Sequence, residues 1–227
     1  MSSLEDIYVI TGASNGIGFE CAKALARFRK GIIVLACRNI KLAEQRKSEL
    51  VTIEMYDASK IIILEETLDL SEIDSVRIYA TALKKYLLNT KKKRIKCLIN
   101  NAGIGGNAIF KKNSLDYDMI FSTNHLGHFL LTILLLPFID ERIINVSSEV
   151  HDPSGEHNLP DPELYWPQNS EDYNEILCKG IPNEDDTIYK AGLRRYTRSK
   201  LCNVFFTMEL ARRLNNAKPK FIEKPEV

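Results

Sequence analysis

Five short runs, IYVIT (7–11), IIVLAC (32–37), IIILEE (61–66), CLIN (97–100) and IINVS (143–147), are apolar on nearly every residue rather than on alternate ones. A strand with one wet face alternates. A strand that is apolar throughout must be covered on both sides, as in a parallel sheet held between helices. The stretches between the runs carry apolar residues at helical spacing. Ile17, Cys21, Ala24, Leu25 and Phe28 form such a stripe after the first run, and Leu42, Ala43, Leu50 and Ile53 a looser one over 40–55. Ser71 is placed to cap a helix reaching Leu88, a long helix covers 114–138, and a last one runs from Leu193 to Leu214. This alternation predicts an α/β chain with a doubly wound parallel sheet in three layers. Ligands on such sheets bind beyond the carboxyl ends of the strands, so function is sought there.

A length of 227 residues suits a single domain spanning the whole chain. Net charge is +1, which calls for neither nucleic acid nor an anionic membrane as partner. The cysteines, Cys21, Cys37, Cys97, Cys178 and Cys202, are odd in number and scattered without C-x-x-C spacing. They read as reduced thiols in an intracellular, cytoplasmic setting, with no metal site. The N-terminus MSSLEDIYVITG carries acids before its first apolar run, unlike a signal peptide. FLLTILLLPFI (129–139) is too short to span a bilayer and is interrupted by Pro137, so a buried helix and no integral membrane span are expected. KKKR (91–94) reads as a solvated turn.

The motifs fall at the strand ends. TGASNGIG (11–18) joins the first strand to the first helix. Gly12, Gly16 and Gly18 let backbone amides and a helix N-terminus approach a diphosphate without Cβ clashes. The second strand ends in Cys37-Arg38. Dinucleotide folds that prefer the unphosphorylated cofactor place an acid there, whereas a basic residue accommodates a 2′-phosphate, so Arg38 points to NADP(H); the plainer reading is an exposed arginine. Asp69-Leu70 follows the third strand, where Asp69 either contacts adenine or caps the next helix. NNAG (100–103) ends the fourth strand and keeps the floor of a cleft open. Asn124, in STNHLGHF, is a poor helix former inside an apolar helix, which suggests a local hydrogen-bonding task. His125 and His128 are spaced for a metal but lack a third ligand, so they read as packing or surface residues. Ser147-Ser148 ends the fifth strand. In RYTRSKLCN (195–203), Tyr196 and Lys200 lie one turn apart on one helix face, a spacing that also arises by chance in many helices.

These motifs, in this order and on these elements, resemble the short-chain dehydrogenase/reductase family over residues 7–214. TNHLGHFLL, VLACRN and RSKLCNVFFTMELARRL are similar to the branch that holds retinol dehydrogenases, the WW-domain oxidoreductase and protochlorophyllide reductase, whose members mostly use NADP(H). The resemblance implies a Rossmann-like fold and hydride transfer between NADP(H) and the carbonyl/alcohol pair of an apolar substrate. It implies Tyr196 as general acid/base. A free phenol titrates near pH 10, and a neighbouring cation, here Lys200, favours its ionised form. Lys200 would also bind the nicotinamide ribose. Ser148, the second of its pair, would bond the substrate oxygen, and Asn124 would hold a water of a proton relay behind Lys200. Gly12, Ser14, Asn15, Gly16, Ile17, Gly18, Arg38, Asp69, Leu70, Asn101, Ala102 and Gly103 would line the cofactor with Tyr196 and Lys200. A homo-oligomer through the helices at 114–138 and 193–214 is the family's habit.

Two departures stand against that pattern. Residues 151–187 form an insert with ten acids, one lysine, five prolines and the single Trp166. It is either a lid with Tyr165 and Trp166 as apolar anchors or an acidic surface excursion. Beyond Leu214 the family continues with two more strands, where this chain has NNAKPKFIEKPEV. The expectation is a C-terminally incomplete sheet with one exposed edge. It leaves a second function open: a weak or inactive dehydrogenase fold that binds a nucleotide or a partner.

Overall fold

The computed structural model describes residues 6–28, 30–90, 94–106, 110–152, 167, 169, 172–180 and 188–216. Five strands, β1 (Ile7–Thr11), β2 (Ile32–Ala36), β3 (Ile61–Ile62), β4 (Ile95–Asn100) and β5 (Ile139–Asn145), make one sheet in the order β3-β2-β1-β4-β5. Every pairing is parallel. The order reverses at β1/β4, so a crevice opens at their carboxyl ends.

The continuous apolar runs are explained by what covers them. Val9, Val34 and Leu98 face one side and pack with Val76, Tyr79 and Leu83 of α3 (Ile73–Asn89) and with Leu131 and Leu135 of α4 (Met119–Phe138). Ile10, Ile33, Leu35 and Ile99 face the other, against Phe19, Ala22 and Ala26 of α1 (Gly16–Arg27) and Ala43 and Leu50 of α2 (Ile40–Thr52). The helix α5 (Ile188–Asn216) lies beside α4 and β5.

Several boundaries differ from the sequence expectation. β3 holds two residues rather than six, because only Ile61 and Ile62 find partners on β2. β5 begins at Ile139, inside the run expected to be helix, because Pro137 ends α4 in a tight 3₁₀ turn. α3 starts at Ile73 after Glu72 with no side-chain cap, so Ser71 is not its cap. α4 starts at Met119, where the Asp118 carboxylate accepts from Phe121 N at 3.1 Å. It is twenty residues long and apolar enough, by length and composition, to cross a bilayer. Its buried Leu131 and Leu135, however, belong to the same core as the sheet.

Within α4, Ser122–Leu126 forms a π turn in which Gly127 N bonds Ser122 O. A second π turn, Tyr173–Lys179, is the largest described part of the acidic insert. Its Leu177 and Cys178 pack on Phe121 and Cys202, and Cys178 O accepts from Asp118 N at 2.6 Å. This part of the insert is docked on the start of α4. The suggested anchors Tyr165 and Trp166 lie outside the described residues, as does the tail after Asn216.

Candidate active site

Thr11, the last residue of β1, is fully buried. Its hydroxyl accepts from Asn101 N at 2.9 Å and Ala102 N at 3.0 Å, and its carbonyl accepts from Asn101 Nδ2 at 2.9 Å. One threonine therefore fastens the turn after β1 to the turn after β4. Gly12 has φ +66° and would put a Cβ 2.9 Å from that of Ala102. Both the backbone angle and the close approach require glycine. Gly16, with φ +51°, opens α1 under the cap of Asn15, and Arg46 Nε holds Ser14 O at 3.0 Å. Gly16 and Ile17 at the start of α1 line the crevice, and a helix N-terminus there suits an anion.

At the far side Arg38 is mostly exposed and lies 3.7 Å from Asp69. Asp69 Oδ1 accepts from Ser71 N at 3.0 Å and Ser71 Oγ at 2.6 Å. The aspartate thus organises its own turn while facing the crevice.

The other end is built from α5 and the end of β5. Lys200 is almost fully buried, and its ammonium donates to Val146 O at 3.0 Å. It sits 5.6 Å from the ring centre of Tyr196. Burial lowers the Lys200 pKa. The serines separate by task. Ser147 Oγ donates to Lys200 O at 2.9 Å and Ser199 Oγ to Tyr196 O at 2.6 Å, both structural bonds. Neither the Ser148 hydroxyl nor the Tyr196 phenol bonds any described residue, and both line the crevice.

The crevice is one cavity of about 730 Å³, a volume typical of small-molecule sites. It brings together Gly12, Ser14, Asn15, Gly16, Ile17, Arg38, Asp69, Leu70, Asn101, Ala102, Gly103, Ser148, Tyr196 and Lys200. Two expected residues stand outside it. A Cβ on Gly18 would strike the Asn101 side chain and Gly12 O, so Gly18 serves the packing of α1 under the turn rather than the lining. Asn124 is fully buried, with Oδ1 accepting from Ile104 N at 2.9 Å and Nδ2 donating to Ile104 O at 3.1 Å and Ser199 Oγ at 3.0 Å. Its side-chain amide is engaged with protein and holds the loop after β4 against α5.

Sequence reasoning passed over Asn39, Leu42, Ile104, Gly105 and Thr123, which also line the cavity. Asn39 had a legible signal, since an asparagine before a helical stripe is a cap, and its Oδ1 accepts from Leu42 N at 3.0 Å. Thr11 and His128 were also undervalued. His128 is buried with its ring nitrogens 2.8 Å from Thr11 Oγ1 and 3.1 Å from Asn124 O, and burial pushes its pKa down to about 4.

A family model described as short chain dehydrogenase matches residues 6–158. Human retinol dehydrogenase 11 is 37% identical over 216 residues, covering 93% of this chain and 57% of that protein. The chicken WW domain-containing oxidoreductase is 31% identical, covering 92% of this chain and 45% of its own length. This chain therefore spans about half the length of these relatives. Among solved structures, an uncharacterized protein from Mycobacterium paratuberculosis is similar with TM-score 0.63 and 31% identity, covering 94% of this chain and 66% of that one. A metagenomic short-chain oxidoreductase in complex with NADP superposes with TM-score 0.62 at 21% identity, covering 97% and 79%, a likeness of fold.

Proposed function

Because the chain belongs to the short-chain dehydrogenase family, we propose that it is an NADP(H)-dependent oxidoreductase acting on the carbonyl/alcohol pair of an apolar substrate, with Tyr196 as general acid/base. The observation that carries this reading is that Ser148, Tyr196 and Lys200 line the same cavity as the glycine turn and Arg38. The turn at Gly12–Ile17 and the start of α1 would hold the diphosphate, since they line the cavity at a helix N-terminus. Arg38 would pair with a 2′-phosphate, and Asp69 and Leu70 would flank adenine. Asn101, Ala102 and Gly103 would floor the slot, and Lys200 would hold the nicotinamide ribose.

Bound there, the nicotinamide would supply or take up the hydride. The remaining work belongs to the chain. Tyr196 Oη gives its proton to the substrate oxygen in reduction and takes it back in oxidation. The Lys200 ammonium lies beside it, and burial makes that ammonium a stronger acid than a surface lysine. Ser148, whose hydroxyl bonds no described residue, orients the substrate oxygen. Asn124 holds the Ile104 and Ser199 contacts behind them. The retinol dehydrogenases among the relatives support an apolar substrate. The five free cysteines support a reducing, intracellular setting, cytoplasmic in our reading.

The test pairs Tyr196→Phe with the wild type. Calorimetric titration with NADPH is expected to give similar affinities. Turnover in a screen of retinoids, steroids and aldehydes is expected to fall by about 10²–10⁴ in the variant. A variant with wild-type rates would remove Tyr196 from the chemistry. A second reading is a nucleotide-binding fold without turnover; among the described residues β5 is the edge of the sheet beside Ser148, with Ile144 40% exposed. NADPH binding with no turnover on any substrate of the screen selects it.

A further inference from the structure

The geometry points to His128 as a positioning residue: a single tautomer of its ring couples the floor of the cofactor cleft to the lysine of the proton-transfer site. The inference rests on the reading of the cleft given above, and it is argued from donors and acceptors alone. Asn124 O is a carbonyl and can only accept, so His128 Nδ1, 3.1 Å away, carries the hydrogen. In a neutral ring Nε2 is then an acceptor. It faces Thr11 Oγ1 at 2.8 Å. The two lone pairs of that hydroxyl are taken by Asn101 N and Ala102 N, so its one hydrogen is what it has to offer. Ile99 O, at 3.4 Å, is the longer alternative. Thr11 therefore donates to Nε2, and the ring is fixed as the Nδ1–H form.

The same Asn124 carbonyl accepts from Asn203 Nδ2 at 3.1 Å. Asn203 Nδ2 also reaches Val146 O at 3.3 Å, and that oxygen accepts from Lys200 Nζ at 3.0 Å. A chain of bonds thus runs from the Ala102 amide, through Thr11, His128, Asn124 and Asn203, to the lysine. The three middle links, Thr11 to His128, His128 to Asn124 and Asn124 to Asn203, are buried, where a broken hydrogen bond costs most. An aliphatic residue of the same size would fill the space but leave Thr11 and the Asn124 carbonyl without this connection.

Two isosteres split the ring's two tasks. His128→Asn keeps a donor at the place of Nδ1 and presents nothing to Thr11. His128→Gln keeps an acceptor at the place of Nε2 and leaves Asn124 O without its histidine donor. In the wild type, long-range ¹H–¹⁵N spectra of labelled histidine are expected to show Nδ1 protonated and Nε2 bare at pH 7. His128→Asn should shift the amide signals of Asn101 and Ala102 and weaken NADPH binding by about fivefold to tenfold, acting on Kd more than on kcat. His128→Gln should shift the Asn203 side-chain amide and lower kcat by about the same factor at nearly unchanged Kd. An Nε2–H or doubly protonated ring overturns the proposal. So do two variants that lower stability, NADPH affinity and kcat in parallel. A wild type that fails to bind NADPH defeats the reading of the cleft instead, while the tautomer spectrum and the amide shifts still decide the coupling.

Discussion

Acid should expose how much the fold depends on a neutral His128. Burial is the main cause that holds its pKa down to about 4, with the Lys200 and His125 charges adding and the bond to the Asn124 carbonyl opposing. The folded pKa lies below the unfolded value near 6.5, so between them the unfolded chain binds more protons. The stability contribution is present above about pH 6.5 and is lost as pH falls toward the folded pKa. A gap of about 2.5 pH units at about 1.36 kcal/mol each gives a loss of about 3 kcal/mol by pH 4. The wild-type curve alone will hide it, because Asp118 runs the other way. Burial outweighs Arg195 and raises the Asp118 pKa to about 6, so its contribution is present below the normal carboxylate range and is lost as pH rises through 6. The measurement is therefore a difference. Urea unfolding of wild type and His128→Gln, followed by circular dichroism from pH 7 to pH 4, should show the wild-type advantage shrinking by about 3 kcal/mol. Curves that stay parallel to within about 1 kcal/mol would mean that the ring accepts its proton without penalty, and the buried neutral histidine would be wrong.

Four further outcomes follow from the structure. Arg38→Ser should weaken NADPH binding by about tenfold to a hundredfold in a fluorescence titration and leave NADH nearly unchanged, and equal losses for both would deny Arg38 the 2′-phosphate. Ser147→Ala should lower the unfolding free energy by about 1 kcal/mol through its lost bond to Lys200 O. Ser148→Ala should instead leave stability unchanged and cut turnover. Gly192 in α5 packs so closely on Gly106 O that a Cβ there would overlap it, so Gly192→Ala should cost about 2 kcal/mol, read as a lower urea midpoint.

The sheet was legible wherever burial alone decided the residues. The ranges of β1 and β2 follow from their apolar runs within a residue, because both are interior strands covered on both faces. β5 was misread at its start for the opposite reason. As the edge strand among the described residues it exposes Asp140, Glu141 and Arg142, so its first half carries no apolar signal, while the helix before it does. The site was legible where backbone geometry restricts residue type, as at Gly12, and where chemistry needs a free hydroxyl, as at Ser148 and Tyr196. It was not legible where a residue acts through partners distant in sequence. Thr11 meets its partners at 101 and 102, and His128 meets Thr11, across about a hundred positions, and no local pattern announces such bonds. Asn124 lies between these cases: its poor helix propensity flagged a hydrogen-bonding task, and its amide bonds the loop after β4.

The π turn at Ser122–Leu126 gives α4 a phase shift as well as a widened turn. Such a turn holds one residue more than an α-turn, and one residue of α-helix is about 100° of rotation. The half of α4 that packs Leu131 and Leu135 into the core is therefore set about 100° away from where an unbroken helix would carry it relative to the start at Asp118. Removing a single residue from this stretch would restore a regular helix, and one end or the other would have to turn its buried face outward. The chain should consequently tolerate many substitutions along α4 better than any change in its length, and this segment should behave as a fixed ruler between the nucleotide turn and α5.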